Sequence, residues 1–426
     1  MVCQASFAKR YRYKRTVKIK RNYISIMTNT KNKYPHSEFL FNCRKINESY
    51  PVSLDETLSK KDTDEALKEI TNWHGYQPTR LISMQALAKD IGVKDIYYKD
   101  ESTRLGLRSF KALGGAYGVL KYLHAKIQDQ MESKIDIKDV RRGKYLNLTK
   151  NYVVVTATDG NHGRSVAYGA KLFGCKCQIY IHSEVSDGRK NAMENLGAKI
   201  IRVNGNYDAS LRVCIEQAQE NNWQIISDTS YGGYTEYPRY IMAGYTVLAQ
   251  EIIDELKGKS APTHIFLQAG VGGFAAAMCM LFWNAFNDQN IQFIIVEPNL
   301  APCLIQSAKA GEITIFNIEE ETMMTGLSCG EPSLLAWDIL KMRADLFMTI
   351  NDNKVPELMR LMSRGVGKDL GVEAGECSVS GLAALIEARN NKKIAQRLNL
   401  NSESRVLLFG TEGATDPDIY EKIINA

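Results

Sequence analysis

No run of apolar residues in this 426-residue chain is long enough to cross a bilayer. The richest, Phe274 to Trp283, spans ten positions, against the roughly 20 a spanning helix requires. Proline is scarce, with 10 residues, and no heptad or Gly-X-Y period persists, which excludes collagen-like and coiled-coil classes. Nine cysteines are too few for a disulfide scaffold, and none falls in paired CxxC spacing, so zinc modules go as well. Cys175 and Cys177 stand one residue apart in a strand-like run, a poor geometry for a metal. Apolar residues make up 44% of the chain, which excludes disorder along its whole length.

Charge is unevenly spread. Residues 1–45 hold twelve Lys or Arg and a single acid, Glu38, whereas the rest of the chain is mildly acidic. The run Lys9 to Arg21 is basic with interleaved tyrosines. We expect residues 1–45 to be a solvated, disordered extension, with organelle targeting and polyanion contact as alternatives. Nothing in residues 46–426 asks for nucleic acid. Without a secretory signal or membrane span, a cytoplasmic protein is expected.

From Tyr152 onward short β-branched runs alternate with amphipathic ones. YVVVTAT (152–158), CQIYIH (177–182), AKIIRVN (198–204), WQIISD (223–228), THIFLQAG (263–270), QFIIVEP (292–298) and RVLLFG (405–410) are strand candidates. Helix-like segments separate most of them, a rhythm that predicts an open, doubly wound parallel sheet with ligands at the carboxyl ends of the strands. The loops are too irregular for a TIM barrel.

Four segments stand where strands should end. In RSFKALGGAYG (108–118), Lys111 opens a helix-like run. The positive end of the helix dipole disfavours an ammonium there, so we expect a neutral amine, as a nucleophile requires. TDGNHG (158–163) offers Thr158, Asp159 and Asn161 beside backbone N–H groups able to hold an anion. Asp159 suits either a general acid–base or a helix cap, and His162 is expected to be a packed histidine. QAGVGGF (268–274) carries Gly270, Gly272 and Gly273 in a turn that lets amides cradle a phosphate, though it lacks the P-loop Lys-Ser/Thr and the dinucleotide spacing. GTEGATD (410–416) places the Thr411 hydroxyl after the last strand.

One amine, one anion loop, one phosphate cradle and one hydroxyl at a single sheet edge are the equipment for pyridoxal 5'-phosphate. A neutral hydroxyl at the pyridine nitrogen leaves the ring unprotonated, which suits eliminations better than transaminations. From HGYQPTRL, near Tyr76, to the C-terminus the chain resembles the fold-type II pyridoxal-phosphate enzymes of the threonine dehydratase group, and within them the diaminopropionate ammonia-lyase family. The segments carrying the resemblance are KDESTRLGLRSFKALGGAYG, ATDGNHGRSVAYGA, SDTSYGGYTEYPRYIMAGY, LQAGVGGF, IIVEP, TGLSCGEPS and GTEGATD. SFK and GNHG are common to the wider group, whereas Asp159 before Gly-Asn, the Asp228 segment and GLSCGEP are specific to the lyases. The family's GESG-type turn is GECS here (375–378), a departure expected to alter packing below the site.

The resemblance implies that Lys111 carries the cofactor as a Schiff base and that Phe110 stacks near the ring. Asn161 would meet the ring hydroxyl, Ala269, Gly270, Val271, Gly272 and Gly273 the phosphate, and Thr411 the ring nitrogen. Asp159 and Asp228 map onto the active-site acids, with Thr158, Asp159, Asn161 and Asp228 around the substrate. It further implies a homodimer, no metal, a small amino-acid substrate and use of both substrate enantiomers. A large domain of about 46–110 and 205–426 would hold an inserted small domain of about 111–204. The reaction implied is α,β-elimination of 2,3-diaminopropionate. The alternatives are a serine/threonine dehydratase and a non-catalytic relative that only binds, or that acts through its basic arm. Cys303 and Cys329 are expected to lie close together near the mouth of the site, able to pair under oxidising conditions.

Overall fold

The structure, a computed structural model, describes residues 37–46, 48–286 and 289–426. The basic run Lys9 to Arg21 lies outside them. Eleven strands form two sheets. The larger has the order β1-β10-β9-β8-β11-β3-β2, and the smaller β6-β5-β4-β7. In chain order the strands are β1 (Phe39–Phe41), β2 (Arg80–Ser83), β3 (Asp95–Asp100), β4 (Val153–Ala157), β5 (Lys176–His182), β6 (Lys199–Val203), β7 (Gln224–Ile225), β8 (His264–Gln268), β9 (Gln292–Pro298), β10 (Leu346–Ile350) and β11 (Arg405–Gly410). All pairings in the smaller sheet are parallel. In the larger sheet the five central strands are parallel, and an antiparallel strand closes each edge. The doubly wound parallel architecture is therefore present, in two sheets.

Two boundaries differ from the sequence expectation. The body begins before residue 46, because β1 pairs with β10, Phe39 opposite Met348. Just beyond, Asn42 Nδ2 donates to the carbonyls of Lys341 and Ala344, each at 2.9 Å, and Lys45 forms an ion pair with Asp345. Basic neighbours hide this three-residue strand in the sequence, yet it covers an edge of β10 that would otherwise present unpaired N–H and C=O groups. Nor does the smaller unit end at residue 204. The turn after β6 leads into another crossover helix, α3 below, and β7 returns to pair with β4.

Five helices frame the site: α1 (Lys111–Met131), α2 (Asn161–Phe173), α3 (Tyr207–Asn221), α4 (Glu236–Glu255) and α5 (Gly273–Ala285). One buried apolar cluster joins the sheets, including Val154 and Ile179 of the smaller and Ile265 and Phe293 of the larger. Gly114 sets the distance between α1 and α4. A Cβ there would fall 2.4 Å from Tyr245 Cε1 and 2.8 Å from the Ile241 carbonyl oxygen. No described helix is long and apolar enough to cross a membrane.

Candidate active site

Lys111 is the first residue of α1, and its Nζ lies 2.5 Å from Asp228 Oδ2. Asp228 follows β7, so residues 117 apart in sequence meet where the two sheets converge. Both side chains are about four-fifths buried, with 21% and 19% of their surfaces exposed. The neutral amine expected at a helix start is not what this pairing supports. Burial and the dipole oppose the charge, but the Asp228 carboxylate outweighs them and raises the Lys111 pKa above the ordinary value. Burial likewise works against the Asp228 anion, which Lys111 and then His162 hold well below the usual carboxylate range.

His162 was expected to be a packed histidine, and it is buried, its Nε2 against the Ile226 carbonyl at 2.8 Å. It also faces the site, with Nδ1 3.7 Å from Asp228 Oδ2. Burial depresses its pKa, so the ring is neutral and, with Nε2–H donating, Nδ1 keeps a lone pair. On the far side of Lys111, Phe110 packs its own ring on Tyr245 and Phe274, centroids 4.8 and 4.6 Å away. The Tyr245 hydroxyl is buried without a hydrogen-bond partner among the described residues.

Asp159 follows β4, and His182, which ends β5, lies beside it with Nε2 2.9 Å from Oδ1. Thr158 is turned into the loop, where its hydroxyl oxygen accepts the N–H groups of Gly160 and Gly163 at 3.1 and 3.2 Å. Its oxygen thus serves the turn that sets up α2. Asn161 opens α2 and donates from Nδ2 to Glu412 Oε2 at 2.5 Å. Glu412 is itself gripped by the GECS turn. Cys377 N–H donates to its Oε1 at 3.1 Å, and Ser378 Oγ donates to its carbonyl at 2.6 Å. The nearby Glu376 carboxyl is pushed up to about 7 by burial and then by the charge of Glu412.

Ala269 to Gly273 form the turn from β8 into α5. Gly272 has φ +95° and caps α5 with no side-chain bond, so first-turn N–H groups are open to an anion. A Cβ on Gly273 would lie 3.8 Å from the Asp228 carbonyl, which puts this turn next to the Lys111 pair. Thr411 ends the arc. Gln268 Nε2 donates to its Oγ1 at 3.1 Å and to the Phe409 carbonyl at 2.8 Å, leaving the Thr411 hydroxyl proton free to be donated. Cys303 and Cys329 are both free thiols. They flank one residue: Cys303 Sγ lies 3.7 Å from the Gly270 carbonyl, and a Cβ on Gly270 would lie 2.8 Å from Cys329 Sγ.

These residues fit pyridoxal phosphate. An amine and an uncapped helix start stand on either side of Asp228. The buried polar atoms without a hydrogen-bond partner among the described residues include Tyr245 Oη, His162 Nδ1, Gln268 Oε1 and Asp159 Oδ1, all contributed by residues of this site. No group of His, Cys, Asp and Glu suited to a metal occurs among the described residues. Residues 73–410 match the family model described as pyridoxal-phosphate dependent enzyme. Diaminopropionate ammonia-lyase from Escherichia coli K12 is 36% identical over 354 residues, covering 82% of this chain and 88% of that one. The chain belongs to the diaminopropionate ammonia-lyase family, and its cofactor is pyridoxal 5'-phosphate. A crystal structure of the E. coli lyase, in complex with an aminoacrylate-PLP azomethine reaction intermediate, superposes with a TM-score of 0.81 at 34% identity, over 92% of this chain and 97% of that one. Tomato threonine deaminase isoform 2, at 17% identity and TM-score 0.67 over 92% of this chain and 98% of that one, shares the fold.

Sequence reasoning singled out Lys111, Asp159, Asn161, Asp228, the Ala269–Gly273 turn and Thr411; the structure pairs Lys111 with Asp228 beside that turn, joins Asn161 to Glu412 next to Thr411, and sets Asp159 against His182. It missed His182, Gln268 and Tyr245, and gave Glu412 no role. Their one sequence signal is position: His182 ends a strand candidate and Gln268 stands two residues before the end of another, as Asp159 and Thr411 each follow one directly.

Proposed function

We propose that this chain catalyses α,β-elimination of 2,3-diaminopropionate, giving pyruvate and two molecules of ammonia. The observation that carries the reading is the pair of carboxylates in one site, Asp228 on Lys111 and Asp159 after β4. A dehydratase, which expels hydroxide or water, has no need of two anions. A substrate with a cationic β-ammonium is drawn to them.

Pyridoxal phosphate, when bound, supplies an electron sink conjugated to the substrate Cα. The protein supplies the rest. Lys111 would hold the cofactor through its amine and is the group that would take the Cα proton, with Asp228 beside it to hold the resulting ammonium. Asp159 handles a proton from its own strand end, which gives the site a second acid–base group. Each such group is typically worth about 10²–10⁴-fold in rate. Thr411, oriented by Gln268, would donate to the ring nitrogen rather than accept from it and so keep that nitrogen unprotonated. The open N–H groups of α5 would hold the phosphate, and Asn161, backed by Glu412, would meet the ring hydroxyl. The β-amino group departs as ammonia, and the released enamine hydrolyses to pyruvate and a second ammonia.

A homodimer in the cytoplasm is part of this reading. Pyruvate release from 2,3-diaminopropionate, serine and threonine tests it. Diaminopropionate should be preferred by about 10²-fold or more, the order of one lost acid–base group, and Lys111→Ala should abolish both turnover and the cofactor band near about 410–420 nm. Serine or threonine turned over as fast as diaminopropionate overturns the lyase reading.

A further inference from the structure

The parallel register of β4 and β5 sets Ala157 opposite Tyr180. Two residues further on, past the paired region, the same register brings Asp159 against His182. Nε2 of His182 is 2.9 Å from Asp159 Oδ1, and the side chains are 15% and 31% exposed. The other ring nitrogen, Nδ1, accepts the backbone N–H of Glu184 at 3.3 Å. In the neutral ring that contact places the proton on Nε2, the nitrogen that stands against the carboxylate, in a close polar contact off the hydrogen-bonding axis, since Oδ1 has no hydrogen-bond partner among the described residues. The turn carrying His182 is fixed from β6, where Arg202 donates to the carbonyls of Ser183 and Val185 at 2.9 and 2.7 Å.

Asp159 and Asp228 both act on the Tyr207 hydroxyl and the Cys329 thiol, whose pKa values burial first and then these charges raise, Cys329 to about 12. The two carboxylates therefore lie close enough to act on the same two side chains. Lys111 accompanies only Asp228. Asp159 has its own partner in His182.

We propose that His182 is the positioning residue of Asp159: by holding Oδ1 it aims the second oxygen at the substrate, and its own charge decides how tightly the carboxylate is held. The proposal rests on the reading of Asp159 as a proton-handling group in diaminopropionate elimination. Three carboxylates face the ring: Asp159 from β4, Glu184 from its own turn and Glu321 from the loop after residue 312. Arg202 of β6 spends its guanidinium on main-chain carbonyls and on Asp187, 3.0 Å away. The close contact with Asp159 first, and then these charges, raise the ring's pKa above its ordinary value, against burial. A cationic ring draws the Asp159 charge to itself and away from the substrate, and a neutral ring releases it. Turnover through Asp159 therefore rises with pH as His182 loses its proton.

The test compares the holoenzyme with its H182Q and H182A variants, assaying pyruvate release from each enantiomer of 2,3-diaminopropionate between about pH 6 and 9, where a perturbed histidine titrates. A second readout, NMR titration of histidine-labelled holoenzyme, follows the ring itself, with H182A assigning the signal. Turnover of the enantiomer most affected by Asp159→Asn should show a rising limb at the midpoint of the His182 signal. H182Q, whose amide nitrogen stands near the Nε2 position, should keep turnover within about 3-fold and lose the limb. H182A should lose about 10-fold or more, as for a deleted hydrogen bond to a charged group. Asp159→Asn should lower the ring midpoint by about one unit, the effect of removing an adjacent opposite charge. A limb that survives in both variants, or equal effects on the two enantiomers, overturns the proposal. A ring midpoint indifferent to Asp159→Asn refutes the pair itself. A parent enzyme that releases no pyruvate overturns the elimination reading and the catalytic role of His182 with it, while the ring titration still reports whether the two side chains are coupled.

Discussion

Asp228→Asn in the cofactor-stripped protein asks whether the ion pair or the helix dipole governs Lys111. At an effective dielectric of about 20, unit charges at the observed 2.5 Å attract by roughly 7 kcal/mol. Desolvation of each ion opposes this by several kcal/mol, so removing one partner of such a pair costs about 3–5 kcal/mol. The lysine avoids that cost by giving up its proton. Its midpoint should therefore fall by about 2–4 pH units from a starting point above its ordinary value. Pulses of acetic anhydride at a series of pH values, read by mass spectrometry of the Lys111 peptide, measure this directly. Lys60, 77% exposed, serves as the internal standard. Below the parent midpoint, labelling of Lys111 relative to Lys60 should rise by about 10²-fold or more in the variant, following the neutral fraction. An unchanged ratio would refute the argument and return control of the amine to the dipole. The stability consequence has a definite sign. The depressed Asp228 contributes stability that is present above 3.8 and lost as pH falls through its folded value, and the raised Lys111 contributes stability present below 10.5 and lost above. Between those limits the destabilisation caused by breaking the pair should not vary with pH, as denaturant titrations at several pH values would show.

Asp159→Asn should reduce turnover of one diaminopropionate enantiomer by about 10²-fold more than the other, with any activity on serine not falling in proportion; an equal, mild effect on every substrate in a kinetic comparison means that Asp159 only shapes the turn, where Asn substitutes well. Truncation before Ser37 should leave the melting temperature unchanged, whereas truncation before Ile46 removes β1 and its anchors at Asn42 and Lys45 and should cost several degrees, about 1–3 kcal/mol for an exposed edge and lost hydrogen bonds. Equal melting temperatures for the two truncated proteins would show that β1 contributes nothing to the sheet.

Seven strands were visible in the sequence: β4, β5, β8, β9 and β11 are buried and apolar along most of their length, and β6 and β7, half-buried, kept enough isoleucine and valine to show. β3 escaped because DIYYKD begins and ends with charge. Its Lys99 is fully buried and paired with Glu251 of α4 at 2.6 Å, a partner 152 residues away that no local pattern announces. The segments that would build the site were legible because glycine, amide and hydroxyl residues at strand ends are out of place in a plain core. Their partners were not. Lys111 finds Asp228 through the approach of two sheets, and Asp159 finds His182 only through the register of β4 on β5. Phe110 and Thr158 show the converse. Each stands in the right segment, but neighbours that the sequence does not bring near, Tyr245 and Phe274 for one and the turn amides for the other, determine what the side chain does.

The edge pairing of β1 also imposes an order on synthesis. Glu38 N–H donates to Thr349 Oγ1 across 311 residues. At about 5–20 residues per second, the ribosome takes about 15–60 s to add that length of chain. Through that interval Phe39, Leu40 and Phe41 have left the exit tunnel with no partner strand. The smaller sheet has no such wait. Its four strands lie within residues 153–225, so it can close while β10 has yet to be made. The nascent chain thus carries a folded inner unit and, ahead of it, a short apolar strand flanked by lysines and arginines, whose like charges discourage two such chains from pairing edge to edge.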